Sequence, residues 1–355
     1  MFKEGKFLWK ILESRLKRTP FKLNFAVTYR CNSRCQTCNI WKFYKDENRD
    51  SRELSLDEIS RIFRHLPSTI CWLCLVGGEP FLRDDLLEII QTALDTIPSL
   101  VVVSMDSNGL LKERTLDLLE KIRNQKKAIF YINFSLDGPE ELHDRIRGIP
   151  GAFNKTWSTY LAARELLSDN KLFRVGLEAT VSTLNLTAIP AFIRELSSQK
   201  HHIYLTFAHS GYLYGSEGND QFVPIGSEKQ IEQIVRAKKS RLSLQQPQNL
   251  IFDIYLKNVA GYYREPSRRL LPCAALKSSL AVNPQGLVTP CFLWNYPLGS
   301  LHDAEYDINK IWMSEKAEEA RKKIAANECP NCWCPCEAFQ SIISSRIPFN
   351  SWRTK

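Results

Sequence analysis

Three cysteines near the start of the chain have the spacing of a metal-binding group. Cys31, Cys35 and Cys38 are separated by three and then two residues, and they follow a short run typical of a β-strand. Three thiolates on one loop can each bind one corner of a cubane iron–sulfur cluster and leave the fourth iron without a protein ligand. Zinc is the alternative, but structural zinc sites generally use four ligands, and no histidine follows at finger-like spacing. The trio therefore predicts an open and reactive metal site.

A second group of thiols lies near the end of the chain. Its members are Cys273, Cys291, Cys329, Cys332, Cys334 and Cys336. Asn283 to Gly286 predict a hairpin turn that brings Cys273 and Cys291 together, and Cys329 and Cys332 add two more thiols. Four thiolates suit either an iron–sulfur cluster or zinc. We favour Cys273, Cys291, Cys329 and Cys332 as the ligands.

Composition and charge narrow the class of protein. The chain has 355 residues, with 48 Lys and Arg against 39 Asp and Glu, and this net charge of +9 is not concentrated in blocks, which disfavours nucleic-acid binding. No apolar run reaches the ~18 residues that span a bilayer, and no secretory signal is evident. We therefore expect a cytoplasmic protein, where closely spaced cysteines indicate metal rather than disulfides.

Six apolar runs, rich in β-branched and aromatic residues, alternate with segments of helical periodicity. This order predicts right-handed βαβ units and a parallel sheet, with the site at the carboxyl ends of the strands. We predict an α/β fold: a partial (β/α)6 TIM-like barrel with a small cysteine-rich C-terminal module. The predicted strands are Lys22 to Thr28, Ile70 to Val76, Leu100 to Met105, Ile129 to Ser135, Phe173 to Val181 and His201 to Ala208.

The chain divides into three predicted parts. Residues 1–20 form a basic amphipathic helix, residues 21–245 the barrel and residues 265–345 the module. The helix could lie on a membrane, but we favour docking on the barrel, and peripheral membrane contact is not the preferred interpretation.

Further motifs follow the predicted strands in order. Gly77-Gly78-Glu79-Pro80 follows the second strand and Ser107-Asn108-Gly109 the third, while Ser135-Leu136-Asp137-Gly138 closes the fourth, with His143 to Gly148 just beyond. Together with Cys-x3-Cys-x2-Cys, these segments resemble the signature of the radical S-adenosylmethionine (SAM) superfamily. One departure is Thr37, where the family often has an aromatic residue that covers the adenine, and Trp41 or Phe43 could replace it.

The resemblance implies the cofactors and the chemistry. The three cysteines would hold a [4Fe–4S] cluster whose unique iron binds SAM, and one electron would cleave SAM to a 5′-deoxyadenosyl radical that abstracts hydrogen from substrate. An electron donor such as flavodoxin or ferredoxin is implied. The SAM-contacting positions would be Gly77, Gly78, Glu79, Ser107, Asn108, Ser135, Asp137 and Arg147.

The C-terminal cysteines resemble the twitch module, a shortened SPASM domain, which implies one auxiliary [4Fe–4S] cluster. The Cys-x3-Cys spacing of Cys332 and Cys336 also resembles the SPASM pattern, which implies that Cys336 could replace one of the four favoured ligands. Relatives of this kind modify peptides or small molecules, so we expect an oxidoreductase or maturase. A lyase or transferase acting on a lipid or sugar is the alternative, and a non-catalytic iron–sulfur or zinc protein is a third hypothesis.

Other residues carry weaker signals. Cys71 and Cys74 are interpreted as small core residues of a strand, and His201 and His202 as structural residues. Candidate substrate-contacting residues near the ends of the fifth and sixth strands are Glu178, His209, Tyr212 and Tyr214.

Overall fold

Six parallel strands, each followed by helical or loop segments, form one side of the molecule. The structure is a computed structural model that describes residues 2–43, 52–216, 221–238 and 247–346. Its first elements are α1 (Phe2–Lys17), β1 (Lys22–Thr28), α2 (Ile40–Phe43), α3 (Leu56–Arg64), β2 (Trp72–Gly77), α4 (Leu86–Thr96), β3 (Val102–Ser107), α5 (Lys112–Ile122), β4 (Ile129–Ser135), α6 (Glu140–Arg147), α7 (Ala152–Leu166), β5 (Phe173–Val181), α8 (Ile189–Ser198) and β6 (Ile203–Phe207).

Helices and a short hairpin make up the rest. They are α9 (Glu228–Ala237), α10 (Pro247–Arg264), β7 (Ser279–Val282), β8 (Leu287–Thr289), β9 (Gly299–Ser300), α11 (Ile308–Trp312), α12 (Glu315–Ala325) and α13 (Pro335–Arg346). The strand order is β6-β5-β4-β3-β2-β1-β7-β8-β9, so the sheet is not closed into a ring. The prediction of a partial barrel with an appended module is confirmed.

The local sequence explains most of these boundaries. Strands β1, β4 and β5 have the predicted ends, while β2 and β3 each begin two residues later than predicted and end one and two residues later, respectively. Helix α3 begins with a complete capping box between Ser55 and Glu58, and Pro190 lies in the first turn of α8. Helix α9 begins at Glu228, and residues 239–246 lie outside the described residues.

Alternating positions of the strands face different surroundings. In β4, Phe130, Ile132 and Phe134 are fully buried in the main core against the outer helices, whereas Tyr131 and Asn133 line an inner cavity of about 570 Å³. This two-residue period follows from the pleat of the strand. The interior of the barrel is therefore a cavity lined by both polar and apolar side chains rather than a second packed core.

Helix α1 packs across the amino-terminal end of the barrel. Ile11 is completely buried, and the Phe7 ring lies 6.4 Å from the ring of Phe21. The ammonium groups of Lys6 and Lys10 donate to the backbone carbonyls of Pro98 and Ser68, each at 2.9 Å. Helix α1 is therefore docked on the barrel, as predicted.

Three large apolar side chains of this helix remain partly exposed. Leu8, Trp9 and Leu16 are 54%, 62% and 72% exposed. Within the described residues, no helix combines the length and the apolarity that crossing a bilayer requires.

Helix α10 was missed in the sequence, although its pattern could have been found. Phe252, Tyr255, Leu256, Val259 and Tyr263 recur at helical spacing and are all buried.

The C-terminal module extends the barrel sheet. Its strand β7 pairs in parallel with β1, from Lys22 opposite Ser279 to Phe25 opposite Val282.

Candidate active site at the carboxyl ends of the strands

The three-cysteine loop after β1 opens onto the barrel cavity. Cys31, Cys35 and Cys38 are half-buried free thiols that line this cavity. Burial raises the pKa of all three thiols, to about 12 for Cys31. A bound cation or metal would oppose this effect and favour the thiolates. The cavity volume of about 570 Å³ lies in the range of small-molecule sites.

The end of α6 holds one side of this loop. The N–H groups of Arg34 and Gln36 donate to the carbonyls of Arg147 and Ile146, each at 2.9 Å. Gly148 ends α6 in the left-handed conformation with φ 66°. A Cβ at Gly148 would lie only 2.6 Å from the Arg34 carbonyl oxygen, so glycine is needed for the helix end to reach the loop.

The segment after β6 holds the other side. The N–H of Asn39 donates to the Tyr214 carbonyl at 2.8 Å, and the Asn39 side chain donates to the Gly215 carbonyl at 3.0 Å. The Cys38 thiol lies 3.7 Å from the same Tyr214 oxygen. Residues far along the chain thereby fix the third cysteine.

The two glycines after β2 meet the backbone of the cysteine loop. A Cβ at Gly77 would lie 2.3 Å from the Thr28 oxygen, and one at Gly78 would lie 2.1 Å from the Arg30 oxygen. The N–H groups of Gly78 and Glu79 donate to those two carbonyls at 2.8 Å. Both glycines also line the cavity. Both positions thus need glycine because they contact the cysteine loop.

Glu79 does not line the cavity, so its predicted direct contact with a cofactor is not what this geometry favours. Its carboxylate is buried and accepts hydrogen bonds from the N–H of Asn108 at 2.7 Å, the Ser107 hydroxyl at 3.0 Å and the N–H of Phe81 at 3.1 Å. Burial raises its pKa to about 7, although these donors act in the opposite direction. Glu79 positions the end of β3.

Ser107 and Asn108 do line the cavity. The Asn108 side-chain amide donates to Asn32 Oδ1 at 2.6 Å and to Ser33 Oγ at 3.1 Å. Asn32 and Ser33 lie between Cys31 and Cys35, so this amide connects the end of β3 to the cysteine loop. No role for Asn32 or Ser33 could be predicted from the sequence, because their contact with Asn108 depends on which strands are neighbours in the sheet.

Arg147 carries a positive charge to the thiol of Cys35. Its guanidinium pairs with Asp137 at 2.6 Å and 3.1 Å, and its Nη1 lies 3.8 Å from Cys35 Sγ. Arg147 and Ser135 line the cavity, but the predicted SAM contact Asp137 is buried behind them and also accepts the N–H of Thr180 at 2.9 Å. Asp137 therefore orients Arg147 rather than facing a ligand.

The module cysteines surround a second and smaller cavity of about 30 Å³. The four favoured thiols, those of Cys273, Cys291, Cys329 and Cys332, all line it. The guanidinium of Arg269 contacts the thiol of Cys329, with Nη2 at 2.9 Å from Sγ. Within the described residues no three His, Cys, Asp or Glu side chains are grouped closely enough to hold one metal ion. A cubane binds each thiolate through a different iron, so its ligands stand farther apart than those of a single ion.

Cys334 and Cys336 lie between the two cavities. Their sulfurs are 3.0 Å apart, and both residues line the barrel cavity. A negative charge on Cys336 would raise the pKa of Cys291 and of Cys332, which places Cys336 near the module group as well. It stays an alternative ligand, and the ligand set stays a prediction.

The remaining candidates for substrate and adenine contacts divide into those that line the barrel cavity and those that do not. Glu178, His209, Tyr214 and Trp41 line the barrel cavity, whereas Tyr212 and Phe43 do not. Tyr212 instead receives a hydrogen bond from Asn283 at 3.4 Å, and the Phe43 ring lies 5.7 Å from that of Tyr29.

The two strand cysteines differ. Cys71 is completely buried among apolar residues beneath α1, as predicted. Cys74 is half-buried and lines the barrel cavity, so the interpretation of Cys74 as a core residue is wrong. Its position on the inner face of β2 follows from the strand pleat.

Several cavity residues were missed in the sequence. These inward-facing polar residues are Lys22, Asn24, Asp106, Asn133 and Arg174. The signal was present, because each occupies an alternate position of a strand, and all except Asp106, which precedes Ser107, lie between two apolar residues.

Comparisons with known proteins agree with this arrangement. The model of the radical SAM superfamily matches residues 25–185, and the SPASM model, an iron–sulfur cluster-binding domain, matches residues 273–333. The predicted resemblance to both is confirmed. The first domain implies a [4Fe–4S] cluster with SAM, and the second implies auxiliary iron–sulfur clusters.

Curated relatives include the antilisterial bacteriocin subtilosin biosynthesis protein AlbA of Bacillus subtilis, which is 23% identical over 88% of this chain and 65% of its own length. The AdoMet-dependent heme synthase of Methanosarcina barkeri is 29% identical over 53% of this chain and 51% of its own length. The chain therefore spans less than two thirds of either relative.

Two solved structures share the fold. The anSMEcpe protein with bound AdoMet and a peptide has a TM-score of 0.55 at 15% identity, covering 91% of this chain and 95% of its own. Streptococcus suis SuiB bound to precursor peptide SuiA has a TM-score of 0.56 at 12% identity, covering 92% of this chain and 73% of its own.

We predict that Gly148→Ala destabilises the protein more than Gly151→Ala does. Both positions have positive φ, at 66° and 72°, so both substitutions strain the backbone by about 1–2 kcal/mol. Only the Gly148 methyl group meets the cysteine loop, because nothing lies within 4 Å of a Cβ at Gly151. Overpacking adds about 1–3 kcal/mol. Urea unfolding of the metal-free proteins measures the difference, and equal losses would contradict the proposed contact.

We also predict a pH dependence that belongs to Glu79. Its pKa is about 7 in the folded protein against 4.5 as the ordinary value, so between these pH values only the folded state keeps the proton. The contribution of Glu79 to the free energy of unfolding must then fall as pH rises through this window and level off above it. Glu79→Gln removes this slope. Urea unfolding across the window, with the variant subtracted from the wild type, tests it; a pH-independent difference rules it out.

Proposed function

We propose that this chain, which carries a radical SAM domain followed by a SPASM domain, reductively cleaves SAM and abstracts hydrogen from a peptide or small-molecule substrate. The observation that supports this proposal is the three-thiol loop opening onto a ligand-sized cavity, with Arg147 beside Cys35. We infer an oxidoreductase or maturase that acts in the cytoplasm with flavodoxin or ferredoxin as electron donor.

The residues around the loop fit the cofactors in chemical type. Cys31, Cys35 and Cys38 would bind three irons of a [4Fe–4S] cluster and leave the fourth to the amino and carboxylate groups of SAM. When bound, the cluster would supply the one electron that reductive cleavage of SAM requires, and this chemistry would permit hydrogen abstraction from the substrate.

The chain itself would bind SAM through groups that line the cavity. We assign backbone contacts to Gly77 and Gly78 and side-chain contacts to Ser107, Asn108 and Ser135. Arg147 would face an anionic group or the cluster. Glu79 and Asp137 would act as positioning residues behind them, since neither lines the cavity. Trp41 is available to cover the adenine because it lines the same cavity.

The auxiliary cluster is assigned to the module. Cys273, Cys291, Cys329 and Cys332 line the small cavity, with Cys336 as the alternative ligand. A cluster there could accept an electron from the substrate radical that hydrogen abstraction leaves, or it could anchor the substrate directly.

A peptide is the favoured substrate class. AlbA is a biosynthesis protein for the bacteriocin subtilosin, and SuiB and anSMEcpe have each been solved with a bound peptide. The solved structures support the fold alone, so AlbA carries most of this inference. A lyase or transferase acting on a lipid or sugar is the second candidate, supported by the exposed Leu8, Trp9 and Leu16 of the basic helix α1.

Anaerobically reconstituted protein with SAM and dithionite should form 5′-deoxyadenosine. Cys35→Ala should abolish the product because it removes one cluster ligand. Cys71→Ala is the matched control, since Cys71 is buried away from the cavity, and it should retain the activity. Chromatographic measurement of 5′-deoxyadenosine decides this: product from the Cys35 variant, or none from a fully reconstituted wild type, would refute the proposal.

If the module holds an auxiliary cluster, replacing one of its ligands should remove the iron of that cluster alone. Replacing Cys291 by alanine should lower the iron content by about four atoms per chain, the content of one cubane, while SAM-dependent spectral changes of the first cluster persist. Cys74→Ala should leave the iron content unchanged, because Cys74 belongs to neither predicted ligand set. Iron and sulfide analysis together with electron paramagnetic resonance checks this, and one zinc atom in place of the four irons would contradict it.

A further inference from the structure

Two carboxyl groups face each other across β4 inside the barrel cavity. Asp106 on β3 and Glu178 on β5 both line it, and Asn133 on β4 lies between them. The single amide nitrogen of Asn133 donates to Asp106 Oδ1 at 3.1 Å and to Glu178 Oε2 at 3.4 Å. Neither carboxyl group belongs to the predicted cluster or SAM contacts.

No cationic side chain in the described part of the chain pairs with these two carboxyl groups, so burial disfavours their ionised form. Burial raises the pKa of both carboxyls, and the charge of Asp106 raises that of Glu178 further. Within the described part of the chain neither carboxyl group has an ion pair within 4 Å, although the Arg147 charge acts on Glu178 from a greater distance and opposes the rise in its pKa. Lys22 acts on Asp106 from a distance, but its ammonium donates to the Cys336 carbonyl at 3.2 Å and stands over the Trp72 ring.

Unpartnered oxygen atoms face the same cavity. Asn133 Oδ1 has no hydrogen-bond partner, because the two carboxyl groups fix the orientation of the amide. Asn24 is 0% exposed, lines the cavity and also leaves its Oδ1 without a partner, while its Nδ2 donates to Glu337 at 3.3 Å.

Strand register places these two asparagines in adjacent layers. Asn24 pairs with Cys74, which pairs with Ser104, two residues before Asp106 on the same strand. Asn133 pairs directly with Asp106. This part of the wall thus presents two carboxyl groups and two unpartnered amide oxygens, all of which can accept hydrogen bonds.

A buried acceptor without a donor is unfavourable, and a buried carboxylate without a cation is more so. We propose that this wall binds a cationic N–H group of the substrate, an ammonium or a guanidinium. This inference rests on the proposed function and refines it, since it names what the substrate presents to the cavity. The rings of Tyr131 and Tyr204, which also line the cavity, would contact the apolar stem that carries the cation.

The test uses the full chain, reconstituted anaerobically and loaded with SAM. The probes are N-acetyl-lysine methylamide and its uncharged counterpart N-acetyl-norleucine methylamide, with affinity measured by calorimetry. A charge-assisted hydrogen bond contributes about 1.5–3 kcal/mol, so the lysine probe should bind at least about tenfold more tightly. Asp106→Asn and Glu178→Gln should each remove most of this preference while leaving the norleucine probe unaffected.

Thr206→Val is the matched control, because Thr206 lines the cavity from β6 and carries no charge. It should keep the preference for the lysine probe. Circular dichroism and unchanged norleucine binding establish that the variants fold.

Equal affinities for the two probes, no binding of either, or an unchanged preference in both acid variants would overturn the inference. A loss of turnover with an intact preference would also overturn it, since the acids would then transfer protons instead. The 5′-deoxyadenosine assay on the same samples separates the two proposals. SAM cleavage without a cation preference refutes only this inference, whereas a cation preference without SAM cleavage refutes the proposed function.

Discussion

The cysteine loop after β1 has almost no regular secondary structure, so its shape depends on hydrogen bonds to distant segments. The end of α6 accepts two of its N–H groups, the Tyr214 segment accepts a third, and the end of β2 donates to Thr28 and Arg30. These contacts come from residues far apart in sequence, and each requires close backbone approach. Two glycine positions, Gly78 and Gly148, permit that approach. The three thiols therefore share one geometry only when the whole open barrel is assembled.

Buried charges reinforce the same region from behind. Glu79 connects β2 to β3, and Asp137 connects β4 to β5 while it orients Arg147. In a medium of low polarity a charged group must be fully hydrogen-bonded or paired, and these carboxylates are. The acidic residues of the motifs thus shape the site, while the glycines, hydroxyls and Arg147 face the cavity. Asp106 and Glu178 differ from them, because their partners are too few for their charge.

The module and the barrel share one sheet and one buried polar joint. Strand β7 pairs with β1, and Glu337 of α13 accepts hydrogen bonds from Ser279 at 2.6 Å and from Asn24 at 3.3 Å. Lys22 donates across the same joint to the Cys336 carbonyl. Because these groups are buried, separating the module would leave them unsatisfied. The joint holds the module cavity beside the barrel cavity, with Cys334 and Cys336 in the wall between them.

The sequence by itself determined the strands, the order of the motifs, the three-cysteine loop and the metal-binding character of the module. These features are local: strand preference, helix caps and thiol spacing depend on residues within a few positions of one another. Only the tertiary structure decided that Glu79 and Asp137 lie behind the cavity wall, that Cys74 faces the cavity and that four module thiols surround one small space. It alone brought Asp106, Asn133 and Glu178 together, because strand neighbours and the direction of the pleat are set by packing between residues distant in the chain.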